Sequence, residues 1–368
     1  MGRSPSLGGF LLVRMVEFSQ DDLHPVSPGV QSKETNTMAI FKAEVAAPYI
    51  IDAVRGAPQF QTLTGSGAMD LGTLDQIYEM RGGRREGQFV KVPSLNNIAD
   101  FARVNLSSDV DLTATAADAN TQIAPVLSDS SYNSYKKHDV LQGGMDINAL
   151  WGSRLGAKIA RRGLVQLGWV LRGAVPAIDS GSHVEDQSSS NLSVNIVANA
   201  RYRVGDNASD LNVLFCHSKF WRDLEYDLRT NYNFNISTGG LLNNIHLASI
   251  LGGIDTVVTY DNPAFDADDD SLDTTSEVSL AYLLGPDSIM FGFQHMPDTT
   301  IDEVTGLAKP DARIKVRFDL ESVMHPYGMA FDGSANPADS TLGTSGQWSL
   351  ANEDHKNVKL VQIKAKLR

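Results

Sequence analysis

The chain has 368 residues, of which 42% are hydrophobic and 20% charged. This composition predicts a folded protein with two or three core-bearing regions and excludes a wholly disordered chain. The formal net charge of −13 argues against a broad nucleic-acid-binding surface, because affinity for phosphate comes from clustered Lys and Arg.

Cysteine content and hydropathy indicate the cellular compartment in which the protein folds. Cys216 is the only cysteine, so an intrachain disulfide and a thiolate zinc cage are excluded, and a reducing compartment is favoured. The opening MGRSPSLGGFLLVRM is a poor signal peptide, and no run is long and uncharged enough to span a bilayer. We therefore expect a protein made in the cytoplasm that does not insert into a membrane.

The first 75 residues predict an extended N-terminal arm. Residues 1–72 are punctuated by Pro, Ser and Gly and lack the density of apolar residues that a core needs, apart from one short helix expected at Ala43–Arg55. Met38 is a second possible start, which makes residues 1–37 an extension. We expect their deletion to leave a folded subunit.

Residues 87–141 predict a long excursion of two strands. They alternate weakly between apolar and polar residues and carry many Ser, Thr, Asn and Asp between the strand-like pieces. Such an element has little core of its own and normally needs a partner surface. A mobile surface hairpin is the alternative.

The clearest helix is predicted over residues 146–175, with Asp146 or Asn148 as its cap and Pro176 as its end. Its length would be roughly 40 Å. Five glycines in it each cost about 1 kcal/mol of helix propensity, which predicts close packing around them. Its basic side chains are Arg154, Lys158, Arg161, Arg162 and Arg172. A plain amphipathic core helix is the alternative.

Further along the chain, apolar runs predict a buried strand at 211–216, a helix from about Ser218 and a second buried strand at 254–259. The closing stretch contains two β-branched, alternating segments, IKVRF and VKLVQIKAKL. Between them lie the turn-forming HPYG and an acidic, polar loop.

These segments, in this order, resemble the major capsid proteins of tailed bacteriophages. The resemblance covers most of the chain from Met38 onward and rests on MAIFKAEVAAPYIIDAVRG, IAPVLSDSSYNSYKKHDV, VLFCHSKFWRDL, GGIDTVVTYDNP, AYLLGPDSIMFGF and RIKVRFDLESVMHPYGMAF. It implies an α+β, Hong Kong 97-like capsid fold with an N-terminal arm, an extended two-stranded loop, a long spine helix with a peripheral sheet, and an axial domain.

The resemblance also implies a domain layout. The expected parts are an arm at 1–75, an extended loop region at 76–145, a peripheral domain with the spine helix at 146–205 and 300–335, and an axial domain at 206–299 and 336–368.

The function implied is structural and not catalytic. The chain would self-assemble into the hexamers and pentamers of an icosahedral phage head, enclosing double-stranded DNA without sequence-specific binding. Implied partners are further copies of the chain, a portal, scaffolding proteins and decoration proteins, and the expected location is the virion, after assembly in the bacterial host cytoplasm. An encapsulin-like bacterial nanocompartment shell is the alternative within this fold. From another class, an enzyme or a calcium-binding surface module stays open.

Few side chains in the sequence suggest a catalytic or metal-binding role. Cys216 and His217 are adjacent, but neighbours on a strand point to opposite faces, so we interpret Cys216 as a buried structural residue. The histidines show no zinc-binding spacing. They include His138, His246, His295 and His325. We therefore expect no catalytic, cofactor-binding or metal-binding residues and no cofactor.

The acidic run at 266–277 has part of the spacing of a calcium loop. Asp266, Asp268, Asp270 and Glu277 fall at the first, third, fifth and twelfth positions, but Ser271 replaces the glycine that the turn needs. We interpret the run as a solvated acidic insertion. Replacing its first three alternate aspartates with Ser is expected to leave folding and assembly intact.

Two predictions concern contacts between copies. Lys91, Lys136 and Asn336 lie where coats of this fold can cross-link covalently, but no matching motif surrounds them, so we do not expect a covalent cross-link. The extended loop is expected to pack on the basic face of a neighbour's long helix. Removing residues 105–130 is therefore expected to leave folded subunits that no longer form closed particles.

Overall fold

The computed structural model describes residues 43–73, 84–86, 89–96, 118–136, 147–232, 250–267, 277–293, 298–304, 313–351 and 354–368. All of these belong to one compact unit. The six α-helices described are α1 Ala43–Arg55, α2 Pro58–Gly65, α3 Ile147–Ala177, α4 Val194–Ala200, α5 Ser218–Tyr232 and α6 Asp339–Leu342. No helix in these ranges is apolar over a length that would cross a membrane.

The strands build two large sheets and one small one. Their bounds are β1 Met69–Thr73, β2 Arg84–Glu86, β3 Phe89–Asn96, β4 Asp118–Lys136, β5 Val184–Asn191, β6 Val213–Cys216, β7 Thr256–Thr259, β8 Val278–Leu284, β9 Ile289–Phe293, β10 Asp298–Val304, β11 Arg313–Pro326, β12 Met329–Phe331, β13 Trp348–Leu350 and β14 Leu360–Lys366. The mixed content confirms the predicted α+β class.

The larger sheet has seven strands in the order β1-β9-β11-β4-β3-β2, with β10 also paired to β11. Strand β1 runs parallel to β9, and β4 is antiparallel to both of its neighbours. The long strand β4 pairs with β3 over its first half and with β11 over its second half. It therefore joins the strand pair β3–β4 to the body of the protein.

The second sheet has five strands in the order β5-β14-β8-β6-β7. Alternate residues of β6 and β8 face two different cores: Phe215 and Tyr282 pack with α3, whereas Leu214 and Leu283 pack with α4 and α5. A strand that is covered on both faces reads as a continuous apolar run, which is how VLFC appears in the sequence. The C-terminal strand β14 lies inside this sheet.

The long helix α3 lies at the centre of the main core, and its glycines mark where other elements approach it. A Cβ on Gly156 would lie 2.5 Å from the carbonyl oxygen of Ile50 in α1, and one on Gly163 would lie 2.8 Å from Phe60. One on Gly173 would lie 2.0 Å from the carbonyl oxygen of Leu342. The close packing predicted from the glycine content is present at all three positions.

The N-terminal region differs from the extended arm that was predicted. The helix at Ala43–Arg55 is confirmed, but the chain after it continues through α2 into β1. Ile50 and Val54 are buried in the main core together with Phe60 and Leu63. The sparse apolar residues suffice because they all point to one surface, that of α3 and β9. Residues 1–37 lie outside the described ranges, so their role stays a prediction.

The end of the long helix also differs. Pro176 was expected to stop it, yet α3 includes Pro176, ends at Ala177 and passes into a 3-10 turn at Ile178–Gly181. A proline in the last turn removes only one backbone donor, and continuation places Ile178 fully inside the core. The predicted domain limits stay a prediction; the sheets themselves place β5 with β14 and β9 with β11.

Candidate assembly site

A polar cluster joins α3 to strand β4 and to the C-terminal region; we call it the Arg162 clamp (Arg162, Gln166, Asp129 and Asp339). Arg162 and Gln166 are four residues apart, so they lie on one face of α3. The Nε of Arg162 donates to Oδ1 of Asp129 at 3.0 Å, and its terminal nitrogens donate to both oxygens of Asp339. The Nε2 of Gln166 donates to Oδ2 of Asp129 at 2.7 Å. Both oxygens of each carboxylate are therefore engaged.

The two carboxylates of the clamp stabilise the charged form of the Arg162 guanidinium. Burial alone would lower the pKa of the Arg162 guanidinium, but the hydrogen bonds and charges of Asp339 and Asp129 outweigh it and raise that pKa above its ordinary value. A guanidinium that binds two carboxylates has a fixed fork geometry, which gives direction as well as attraction. The clamp therefore holds β4 at a defined position on the long helix.

A second contact lies beside the clamp. Asn336 has a positive φ of 46°, and its Oδ1 accepts a hydrogen bond from the backbone nitrogen of Ser128 at 3.0 Å. Asn tolerates this left-handed conformation better than most residues. The segment at 336–340 and β4 together border an open groove of about 640 Å³. Residues 128–129 are thus held by two chain segments that are distant in sequence.

The strand pair β3–β4 is buried where it joins the rest of the seven-stranded sheet. There Val90, Ala124 and Val126 form a small apolar cluster with Met290 and Val323. Beyond Leu127, where β4 pairs with β11 and no longer with β3, exposed and half-buried residues alternate, and Tyr132 is 58% exposed. The ladder ends at the partners Asn96 and Asp118, and residues 97–117 between them lie outside the described ranges. The two-stranded excursion predicted from the sequence is confirmed for this part.

The long helix carries exposed cations next to the clamp. Arg154, Lys158 and Arg161 are exposed, and we call them the basic stripe. Among the residues that the structure describes, they form no ion pair, in contrast to Arg162. The sequence grouped all four as one basic face, and the structure separates them. Arg161 also borders an open groove of about 790 Å³ between the α1–α2 turn, α3 and the start of α5.

Cys216 and His217 have separate surroundings. The thiol of Cys216 is fully buried, which raises its pKa. His217 lies with its Nε2 3.5 Å from Asp261, and its Nδ1 accepts a hydrogen bond from the backbone nitrogen of Lys219. Burial lowers the pKa of His217 despite the nearby carboxylate. The interpretation of Cys216 as a buried residue agrees with this placement.

The acidic run requires a correction at its first residue. Asp266 is only 1% exposed, forms a β-bridge with Ser279, and its carbonyl oxygen accepts a hydrogen bond from Arg172 at 2.7 Å. It is therefore part of the core and not of a solvated insertion, so it should not be counted as dispensable. Asp268 and Asp270 lie outside the described residues. Within the described ranges, no three metal-ligating side chains come together.

The remaining side chains singled out in the sequence are spread over the molecule. His325 is fully buried, which lowers its pKa to about 3. His138, His246 and His295 lie outside the described residues. Lys91 lies on β3 and Asn336 beside the clamp, and the side chain of Lys136 lies outside the described part. The expectation that these residues form no covalent cross-link stays a prediction.

Sequence reasoning missed the clamp partners. Asp129 lies in a Ser-rich stretch and Asp339 in a polar loop, 33 and 177 residues from Arg162. The four-residue spacing of Lys158, Arg162 and Gln166 was the only local signal, and it fits a solvated helix face equally well. The partners were decided by the tertiary fold.

Comparison with known proteins gives one family. A family model described as "Major capsid protein 13-like" (Gp13-like) matches residues 85–359, a range that includes the clamp, the strand pair and the basic stripe. No curated protein matches the chain.

Among solved structures, the capsid of cyanophage Pam1 is similar with 11% identity and a TM-score of 0.46, over 77% of this chain and 86% of that one. The capsid of the Helicobacter pylori bacteriophage KHP30 is similar with 11% identity and a TM-score of 0.46, over 94% of this chain and 100% of that one. The Ralstonia phage GP4 capsid gives 11% identity and a TM-score of 0.46, over 77% and 85%. These likenesses are remote, and the family match carries the assignment.

Proposed function

Because the chain belongs to the major capsid protein 13-like family, we propose that its subunits assemble into the hexamers and pentamers of an icosahedral phage head that encloses double-stranded DNA. The match over residues 85–359 is the observation that carries this proposal. The chain is a structural protein of the phage capsid, and the resemblance inferred from its sequence is confirmed. The long helix, the strand pair and the C-terminal strands follow in the order expected of a Hong Kong 97-like fold.

The strand pair is the element best suited to bridge two subunits. Its root is held by a small apolar cluster, and the continuation of β4 beyond that root is held by the Arg162 clamp. A two-stranded ribbon gains little stability by itself in water, so a partner surface would order it. Contacts of one patch with a different patch on the next copy generate the rings that a shell requires.

Charge favours a specific partner surface. The segment 97–117 carries Asp100, Asp109 and Asp111 against a single basic residue, Arg103. The basic stripe carries three exposed cations without ion pairs among the described residues. We call the segment 97–117 the acidic tip, and we infer that the acidic tip of one subunit lies on the basic stripe of the next. Each exposed pair contributes only about 0–1 kcal/mol, so the effect depends on repetition over the shell.

The same surfaces fit a container that does not grip DNA. With a net charge of −13 the subunit as a whole repels phosphate. Sequence-independent enclosure of DNA therefore fits the chain better than tight binding. A portal, scaffolding proteins, decoration proteins and assembly in the host cytoplasm belong to the same proposal.

The first experiment shortens the strand pair. A deletion of 105–130, as the sequence suggested, would remove buried residues such as Ala124 and Val126 and would unfold the subunit. Asn96 and Asp118 are direct partners, so residues 97–117 can be replaced with a two-residue Asn-Gly turn. We expect soluble, folded subunits that form no closed particles, measured by sedimentation velocity and negative-stain electron microscopy.

The second experiment tests the charge pairing. The triple change Arg154→Glu, Lys158→Glu and Arg161→Glu should abolish closed particles, and adding Asp100→Lys, Asp109→Lys and Asp111→Lys should restore them. The matched control removes three other acidic residues with Asp268→Ser, Asp270→Ser and Asp273→Ser and should assemble normally. Normal heads from the shortened chain would contradict the bridging role. If the variant with all six changes folds but forms no closed particles, the pairing of the acidic tip with the basic stripe is contradicted.

A further inference from the structure

Two histidines that are 172 residues apart meet where the long helix ends. The Nε2 of His183 lies 3.1 Å from Nδ1 of His355, and the rings meet edge to face at 5.3 Å. The Nδ1 of His183 lies 2.6 Å from the carbonyl oxygen of Leu360, the first residue of β14. The Nε2 of His355 faces Oδ2 of Asp179 at 3.8 Å. A line of polar groups thus runs from the 3-10 turn after α3 to the C-terminal strand.

The backbone of that turn is strained. Asp179, Ser180 and Gly181 follow each other with positive φ values of 39°, 54° and 88°. Only glycine adopts this region freely, and each other residue in it costs on the order of 1 kcal/mol or more. Such a turn persists when surrounding contacts hold it. His355, which faces the Asp179 carboxylate, is one of those contacts.

The hydrogen-bond chemistry fixes where the protons lie. A carbonyl oxygen only accepts, so His183 carries its proton on Nδ1 and leaves Nε2 bare. His355 must then donate from Nδ1 to that bare nitrogen. Its Nε2 lies 3.8 Å from Oδ2 of Asp179. The arrangement is satisfied when His183 is neutral and carries its proton on Nδ1.

We propose that the His183–His355 pair is an acid-sensitive joint that ties the end of the long helix to the C-terminal strand and opens when a second proton binds. A proton on Nε2 of His183 would point at the N–H of His355, which lies 3.1 Å away, so their hydrogen bond is lost. The strained turn then loses the contact through His355. The inference concerns the subunit itself and does not depend on the shell.

The surroundings set the direction of the pH dependence. Burial is the main cause that lowers the pKa of His183, and the charge of His355 adds to it, while Asp179 and Asp354 act against it. Among the lysines nearby, Lys359 pairs with Asp210, and Lys356 lies against Gly205. Because the unfolded chain binds this proton more readily, the stabilisation is complete above about pH 6.5 and declines as the pH falls below it.

The test is hydrogen exchange on the soluble full-length subunit at pH 7.5 and pH 5.0, corrected for intrinsic rates. Peptides that cover 178–184 and 354–360 should lose protection by about tenfold or more at pH 5.0, while those in β6 and β8 keep theirs. The variant His183→Asn keeps a donor near the position of Nδ1, which bonds the carbonyl oxygen of Leu360, but cannot take up a proton, so it should retain its protection at pH 5.0. The control His217→Asn should behave like the wild type.

Nitrogen-15 chemical shifts of the histidines give an independent readout on the wild-type chain. At pH 7.5 His183 should show a protonated Nδ1 and a bare Nε2. Protection of the wild-type chain that does not change with pH would overturn the proposal, as would a loss in His183→Asn equal to that of the wild type. A His183 ring protonated at both nitrogens at pH 7.5 would overturn it as well.

Discussion

The five-stranded sheet and the strand pair β3–β4 differ in how much of each strand is buried in an apolar core. In the sheet, the central strands β6 and β8 are buried on both faces by α3 on one side and by α4 and α5 on the other. In the strand pair, a small apolar cluster covers the root, and farther along β4, where it pairs with β11, exposed and half-buried residues alternate. The five-stranded sheet is stabilised by apolar cores on both of its faces, whereas β4 beyond the strand pair is held in place largely by polar contacts.

This difference separates folding from assembly in one chain. Burial of apolar area supplies most of the stability of a domain, so the sheet can hold the subunit together. The described part of the strand pair has one small apolar cluster, and β4 beyond it is positioned by the Arg162 clamp. The segment 97–117 that joins the two strands is the part proposed to contact another copy. Substitutions in the two regions should therefore differ in what they change.

The largest effect is expected from the sheet. Phe215 in β6 is fully buried against Phe265, with ring centroids 5.0 Å apart. Phe215→Ala should lower the free energy of unfolding by about 3–5 kcal/mol, because it leaves a cavity. Tyr132→Ala in β4, where the ring is 58% exposed, should change it by no more than about 1 kcal/mol. Chemical denaturation of soluble subunits measures both, and equal losses would contradict the comparison.

A somewhat smaller effect is expected where the long helix meets the C-terminal region. A Cβ on Gly173 would lie 2.0 Å from the carbonyl oxygen of Leu342, which accepts a hydrogen bond from Nε1 of Trp348. Gly173→Ala should therefore cost about 2–4 kcal/mol through overpacking and the lost bond.

Gly65→Ala at the end of α2 is the matched control, since its Cβ would meet nothing within 4 Å. It should be neutral or stabilising by up to about 1 kcal/mol. Thermal unfolding of the two variants side by side decides the point. A tolerated Ala at 173 would show that α3 is less closely packed than the distances indicate.

The smallest effect on stability is expected from the clamp, because its groups are partly exposed. Arg162→Ala should cost about 1–2 kcal/mol and should raise hydrogen exchange around residues 125–131 more than elsewhere. A double-mutant cycle with Asp339→Ala should show a positive coupling.

Arg317→Ala is the control for the clamp, since this exposed residue pairs with Asp319 on the same strand. It should change stability by less than about 0.5 kcal/mol. Exchange that rises equally over the whole sheet in Arg162→Ala would mean that the clamp supports the fold in general and not the strand pair in particular.

Local patterns predicted several elements well. The helix at Ala43–Arg55, the start of α5 at Ser218 and the long helix agree with the structure, because each has its own apolar periodicity and boundary residues. The buried strand predicted at 211–216 is present as Val213–Cys216. The capsid resemblance also came from short segments that can be recognised by themselves.

Pairings between distant segments could not be predicted. The parallel contact of β1 with β9 and the place of β14 between β5 and β8 depend on which apolar faces meet, and many partners fit one strand equally well. The burial of Asp266 escaped the sequence for the same reason. Its acidic neighbours indicated solvent, whereas its bridge to Ser279 places it in the core.

The sequence by itself determined the long helix with its closely packed glycines and the two-stranded excursion, which follow from periodicity and composition over a few residues. The α+β class and the capsid family were implied by the resemblance of short segments to the major capsid proteins of tailed bacteriophages. Only the tertiary structure decided that Arg162 binds Asp129 and Asp339 and is not one of the exposed cations of the long helix. The same holds for the contact of His183 with His355. Polar groups bind over about 3 Å, so their partners are chosen only after apolar burial has brought the segments together.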